Sequence, residues 1–164
     1  MKATSSGTAT VTLPTDEQIL ITREFDAPPR LVFRAWTTPE LVKRWWHAKR
    51  GEVTVAEIDL RVGGRWRSVM VTDDGLEVAF HGEYREIVPN ERIVSTEVFE
   101  GVPDPEAGTV VNTITFEDVD GRTLLTNLVQ APSKDVRDAI IDSGMEAGMQ
   151  DAMDLLEEVA VSLR

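Results

Sequence analysis

From about residue 53 onward the chain reads in period 2, and this limits its fold more than any other feature. Val53–Leu60, Gly64–Thr72, Leu76–Val88, Arg92–Glu100, Thr109–Glu117 and Thr123–Ala131 are all enriched in Val, Ile, Thr and aromatic residues. The segments between them carry turn chemistry, as in Asp73-Asp74-Gly75, Pro89-Asn90-Glu91 and Asp118-Val119-Asp120-Gly121. Six consecutive strands at short spacing predict an antiparallel meander, because a doubly wound sheet would interleave helices. The longest connection, Gly101–Gly108 with two prolines, reads as a surface loop.

Other patterns flank the meander. Gln18–Phe25, QILITREF, suits an opening strand, and Asp26-Ala27-Pro28-Pro29 ends it and starts a helix, since proline is tolerated in a first turn. Leu31, Val32, Ala35 and Trp36 fall at helical spacing. Thr37-Thr38-Pro39 then stops that helix and caps a second short one running through Trp46. At the far end Ser133 is a good N-cap, and Ile141, Met145, Gly148, Ala152, Leu155, Leu156, Val159 and Leu163 keep one apolar stripe, which predicts a single long amphipathic helix. Gly144 and Gly148 weaken it by roughly 1 kcal/mol each, a cost usually offset by a close neighbour or by room left for a ligand. Residues 1–17 show little periodicity and read as a loose tail ahead of one domain spanning 18–164.

At 164 residues, 41% apolar and 28% charged, the chain has the composition of one globular domain that buries about two thirds of its surface. It lacks cysteine, which excludes disulfides, thiolate zinc sites and a cysteine nucleophile. Its net charge of -12 has the wrong sign for neutralising phosphates, so nucleic acid is not an expected partner. The charge is uneven, with nine Lys/Arg against four acids from Arg30 to Arg67 and seven acids without a base from Glu97 to Asp120. Such runs are usually solvated faces, and the sharper reading is a basic rim that attracts an acidic ligand or partner. No apolar run approaches a membrane span, and Met1–Thr10 has no secretory h-region, so a cytoplasmic location is expected.

Strand, two short helices, six strands and a long helix have one economical solution. A curved antiparallel sheet wraps its concave face around the terminal helix, and the short helices plug one end of the groove. Sheet and helix then leave an elongated space whose side chains decide between solid core and pocket.

Four segments also resemble a known family: TREFDAPPRLVFRAWTTPELVKRWW (22–46), DLRVGGRWRSVM (59–70), GEYREIVPNERIVST (82–96) and GMEAGMQDAMDLLEEV (144–159). In this order they are similar to bacterial SRPBCC proteins of the START-like superfamily, in the branch named after the activator of the heat-shock protein 90 ATPase. The resemblance runs from about Ile19 to Leu163. It implies an α+β helix-grip fold whose cavity binds small, largely apolar molecules, and it carries over no catalytic residue.

Period 2 sends Trp66, Met70 and Phe80 inward, turns Ala79 and His81 the other way, and gives Val110, Asn112, Ile114 and Phe116 a shared face. Gly82 is a candidate bulge that would reverse Tyr84 and its neighbours. Trp36, Trp45, Trp46, Trp66, Met70, Phe80, Asn112, Phe116, Met145 and Met149 are the candidate ligand-binding residues, because aromatics and flexible methionines make adaptable apolar walls. Inward Asn112 and Asn127 would need hydrogen-bond partners that a ligand could supply.

With two histidines outside HxH or HExxH spacing, no metal and no cofactor are expected, and Gly-x-Ser-x-Gly and P-loop runs are lacking. Three functions stand. The first is binding of a small hydrophobic or amphipathic molecule. The second is a cyclase or isomerase that uses His81 or Glu83 as base in the same cavity. The third is a co-chaperone-like module that docks its basic stretch on an acidic chaperone partner. A homodimer through sheet edges or the helix is compatible with the sequence, although no heptad seam demands one.

Overall fold

A computed structural model of the chain describes residues 9–164. The opening run forms β2 (Gln18–Phe25), and the six period-2 segments form β3 (Gly51–Ile58), β4 (Arg65–Thr72), β5 (Glu77–Val88), β6 (Arg92–Phe99), β7 (Val110–Val119) and β8 (Arg122–Gln130). A further strand, β1 (Thr10–Thr12), precedes them. The strands make one antiparallel sheet in the order β1-β2-β8-β7-β6-β5-β4-β3. The meander therefore closes on β2, and the segment after β2 must carry the chain across the whole sheet to β3.

That crossing is made by α1 (Pro29–Thr37) and α2 (Pro39–Val42), with Pro28 and Pro29 opening α1. The second helix is shorter than its sequence predicts. After Val42 the chain continues in turns, and Ala48 and Lys49 adopt positive φ. These two residues turn the chain out of right-handed helical space and into β3.

Inner-face positions follow from the register. Ile19, Ile21 and Phe25 of β2, Ile93 of β6, Ile114 and Phe116 of β7, and Leu125 and Val129 of β8 are buried together with Leu31, Val32, Phe33 and Ala35 of α1. Phe33 meets Phe116 edge-on at 5.5 Å. Each fully buried side chain of this size contributes about 1.5–3 kcal/mol.

The expected single C-terminal helix is two: α3 (Lys134–Asp142) and α4 (Met145–Ser162). Ser133 caps the first by accepting the Val136 N–H at 3.2 Å. Gly144, at φ +81, breaks the pair, a conformation open to glycine without steric cost. The apolar stripe continues in phase across this joint, so periodicity alone does not reveal it. On α4 the inward residues Met153, Leu156, Val159 and Ala160 are buried.

Arg23 fixes α4 on the sheet. Its side chain is 0% exposed, donating from Nη1 to Asp154 Oδ1 at 2.8 Å and from Nη2 to Glu157 Oε1 at 2.9 Å.

Part of the segment read as a loose tail is ordered. Thr10–Thr12 pairs with Leu20–Thr22, and Ala9 exchanges two hydrogen bonds with the Gln150 side chain at 3.1 and 2.8 Å. Three residues are too few for a periodic signal, and what orders them is non-local. Residues 1–8 of the expected tail lie outside the described residues. The sheet carries two register shifts, at Val53/Val55 and Tyr84/Glu86. The second falls after Tyr84 rather than at Gly82, so Tyr84 keeps the inner phase.

Candidate functional site

The inner face is unevenly covered. Over β2, β7 and β8 it is sealed by α1 and the C-terminal half of α4. Over β3–β6 the phase residues Ala56, Ile58, Trp66, Phe80 and Glu97 stay half-buried, and Phe99 is 40% exposed. The helix has the same gradient: Met145, Met149 and Ala152 are half-buried, whereas Met153 and Leu156 are buried. These two half-covered faces, the β3–β6 half of the sheet and the first half of α4, define a candidate trough.

The candidate residues divide accordingly. Trp46 stands edge-on to Phe80 at 5.7 Å, and Phe80 in turn meets Phe99 at 5.1 Å. Trp46, Trp66, Phe80, Met145 and Met149 are all half-buried and remain candidates for the trough walls. Trp45 and Met70 are buried in the packed interior, with the Trp45 Nε1–H donated to the Ala35 carbonyl at 3.0 Å. Trp36 is half-buried between Trp45 at 5.1 Å and Phe116 at 6.2 Å, on the sealed side. Phe116 is buried and edges a separate cleft of about 660 Å³ beside Pro28, Pro29, Asn90 and Glu91. Two residues that sequence reasoning did not select, Glu97 and Phe99, complete the trough. Their signal is phase, since Ile93, Ser95, Glu97 and Phe99 alternate onto the inner face of β6.

The polar groups of the inner face are sparse. Asn112, buried, donates its Nδ2 proton to Glu97 Oε1 at 2.8 Å. Burial pushes the Glu97 carboxyl above its ordinary value, and the Asn112 bond offsets part of that shift. Asn127 faces the same layer opposite Ile114, and its Oδ1 is buried without a hydrogen-bond donor.

His81 and Glu83 do not reach the trough. Strand alternation puts both on the outer face, so the expectation that either acts as a base inside it is corrected. His81 Nδ1 lies 2.8 Å from Glu100 Oε2, and its Nε2 lies 3.4 Å from Glu106 Oε1. Arg67 donates two bonds to the Glu100 carboxylate at 2.9 and 3.0 Å, which with His81 holds that group down at about 2. These side chains edge an outer cleft of about 330 Å³.

The basic stretch also divides. Arg50, Arg61 and Arg67 are paired with Asp151, Asp59 and Glu100. Arg30, Arg34, Lys43, Arg44 and Lys49 are exposed, and among the described residues none of them forms an ion pair. Among the described residues no group of three His, Asp or Glu side chains could hold a metal, and no helix is long and apolar enough to cross a membrane.

Comparison with solved structures finds the same fold repeatedly. A Rhodobacter sphaeroides protein superposes with a TM-score of 0.85 at 23% identity, covering 94% of this chain and 99% of that one. A solution structure from Arthrobacter aurescens gives 0.83 at 24% identity over 93% and 91%. A Chromobacterium violaceum protein gives 0.78 at 28% identity over 89% and 98%. No curated protein matches the chain. The model of the family described as activator of Hsp90 ATPase homolog 1-like protein matches residues 26–160, which include both short helices, strands β3–β8 and nearly all of α4. The chain therefore belongs to the AHSA1-like family and has its SRPBCC helix-grip fold.

Proposed function

We propose that this protein binds a small hydrophobic or amphipathic molecule in the trough between strands β3–β6 and the first half of α4. One observation carries the reading: Trp46, Trp66, Phe80, Phe99, Met145 and Met149 remain partly exposed on the inner side of β3–β6 and on the first half of α4, with Trp46, Phe80 and Phe99 in ring contact, while most of the core over β2, β7 and β8 is buried. Concave apolar walls with few polar groups are the usual form of a small-molecule site. Flexible methionines on one wall let it adapt to an occupant. The reading needs neither metal nor cofactor.

Calorimetric titration with uncharged 1-naphthalenemethanol tests it. Saturable one-site binding that is weakened in Phe80→Ala is expected. Heats of dilution alone, together with native mass spectra of protein from its own host that show only the bare chain, overturn it.

A second reading rests on the five exposed cations Arg30, Arg34, Lys43, Arg44 and Lys49, which the salt bridges of the described residues leave unpaired. They would dock an acidic protein partner, as the family name suggests for a chaperone. Retention of that chaperone on immobilised protein at low salt and its release at high salt would support docking. No retention at either salt concentration would remove it.

A further inference from the structure

Glu97 is the one charged group that the inner phase of β6 turns toward the trough. Phe80↔Phe99 and Tyr84↔Ser95 set Gly82 across from Glu97, and Trp66 is the register partner of Gly82 on the next strand. The carboxylate thus sits in a row with Trp66 and one pair away from Phe80 and Phe99. Its hydrogen-bond partner is the neutral amide of Asn112, and among the described residues no lysine, arginine or histidine pairs with it. Arg50, whose Cζ lies 4.0 Å from where a Cβ on Gly148 would stand, is committed to Asp151.

A half-buried carboxylate without a cation is costly, and burial does push this one above its ordinary value. The hydrogen bond it accepts from the Asn112 amide supplies a neutral donor and no charge. A carboxylate without a cation, on the same face as Trp66, Phe80 and Phe99, is complementary to a ligand that brings N–H donors and positive charge. An anionic ligand would meet the Glu97 charge at close range in a weakly screened site.

We infer that the trough takes a small organic amine, whose ammonium pairs with Glu97 and whose apolar body lies along Trp66, Phe80 and Phe99 under Met149. The inference rests on the ligand-binding reading above and assigns the chemical class of the ligand. A carboxylate-bearing guest of the same shape is excluded by the same charge, which gives the site a sign as well as a size.

The test compares three ligands of one shape by calorimetry at neutral pH: 1-naphthylmethylamine, 1-naphthalenemethanol and 1-naphthoate. The amine is expected to bind about ten- to a hundredfold tighter than the alcohol, and the naphthoate weakest. In Glu97→Gln, an isosteric change that removes a costly charge, the amine's advantage over the alcohol should collapse to about twofold or less while alcohol binding persists. Equal binding of amine and alcohol to the unmodified protein overturns this inference and leaves the ligand-binding reading standing. Binding of none of the three overturns both. Because the three-ligand comparison needs no variant, a folding defect in Glu97→Gln would not blunt it, and an undiminished amine preference in a folded Glu97→Gln protein overturns the assignment to Glu97.

Discussion

Trp66 lies across Gly82. Its indole Nε1–H is donated to the Thr96 carbonyl at 3.2 Å, over the position where any other residue at 82 would carry its side chain. A Cβ on Gly82 would stand 1.8 Å from Thr96 O and 2.5 Å from Trp66 Nε1. Glycine is required there by close approach of neighbouring groups, not by backbone conformation. Gly82→Ala should cost about 1–3 kcal/mol through overpacking, with Trp66 expelled from its place in the wall. Urea denaturation gives the first quantity, and a red-shifted tryptophan emission reports the second. An alanine variant with unchanged stability and emission would mean that Trp66 does not occupy this position.

Arg23 is the polar counterpart in the sealed half. Its charge is buried against Asp154 and Glu157, and its guanidinium stands 5.0 Å from the Phe25 ring centroid. Removing one member of a buried network leaves the other uncompensated, so Arg23→Ala should lose about 3–5 kcal/mol. Glu157 also accepts the Asp26 N–H at 2.8 Å and so ties α4 to the turn that opens α1. Hydrogen exchange should show α4 amides deprotected in Arg23→Ala beyond those of β5 and β6. Uniform deprotection would show that Arg23 supports the whole fold rather than the seating of this helix.

The outer-face network makes a pH prediction of definite sign. Glu100 titrates at about 2 rather than at its ordinary 4.5 because Arg67, and then His81, stabilise its charged form. A carboxyl with a depressed folded pKa adds stability above its unfolded value, and that stability is lost as pH falls through the folded one. The stability gap between the protein and Arg67→Met should therefore be full at pH 6 and shrink between about 4.5 and about 2. Denaturant midpoints across that range check it, and a gap independent of pH would dissociate Arg67 from Glu100.

Which of these groups the sequence discloses follows from how local their causes are. Alternation along one strand is local, so the inward direction of Trp66, Met70, Phe80 and Asn112 and the outward direction of His81 are legible from spacing. Burial is not local. Trp45 and Met70 are of the same residue types as the half-buried candidates, yet Trp45 is packed into the core with α1 and Met70 is buried on β4 between Val53 and Val78. Arg23 looks like an exposed charge until α4 brings two carboxylates to it from more than 130 positions away. Glu97 reads as the start of an acidic run, and only its place in the apolar phase of β6 separates it from the solvated acids that follow. The loop after β6 is visible as a loop, but its return over the outer face through Glu100 and Glu106 depends on partners in β4 and β5.

Glu97 predicts the opposite pH behaviour to Glu100. Its folded pKa is raised, so its charge opposes folding above that pKa, and the opposition is relieved as pH falls toward the unfolded value of 4.5. Glu97→Gln should consequently be more stable than the unmodified protein at pH 7, with the gain vanishing at pH 4. Thermal denaturation at the two pH values measures this. A glutamine variant that is less stable at pH 7 would show that the carboxylate already has a compensating partner in the empty protein.

Gly148 tests whether the first half of α4 stands clear of its neighbours. It shares the inward stripe with Met145, Met149 and Ala152, yet a Cβ there would find only Arg50 Cζ at 4.0 Å. Glycine inside a helix costs about 0.5–1 kcal/mol relative to alanine, and no close packing at this site requires it. Gly148→Ala should raise the melting temperature by about 2–4 °C, as expected for a gain near 1 kcal/mol in a chain of this size. The added methyl narrows the trough, so naphthalene-sized ligands should bind a few-fold more weakly although the protein is more stable. Stability and affinity moving in opposite directions is the signature of space kept open at a cost to the helix. A lower melting temperature would place a neighbour against Gly148 and close the trough at that point.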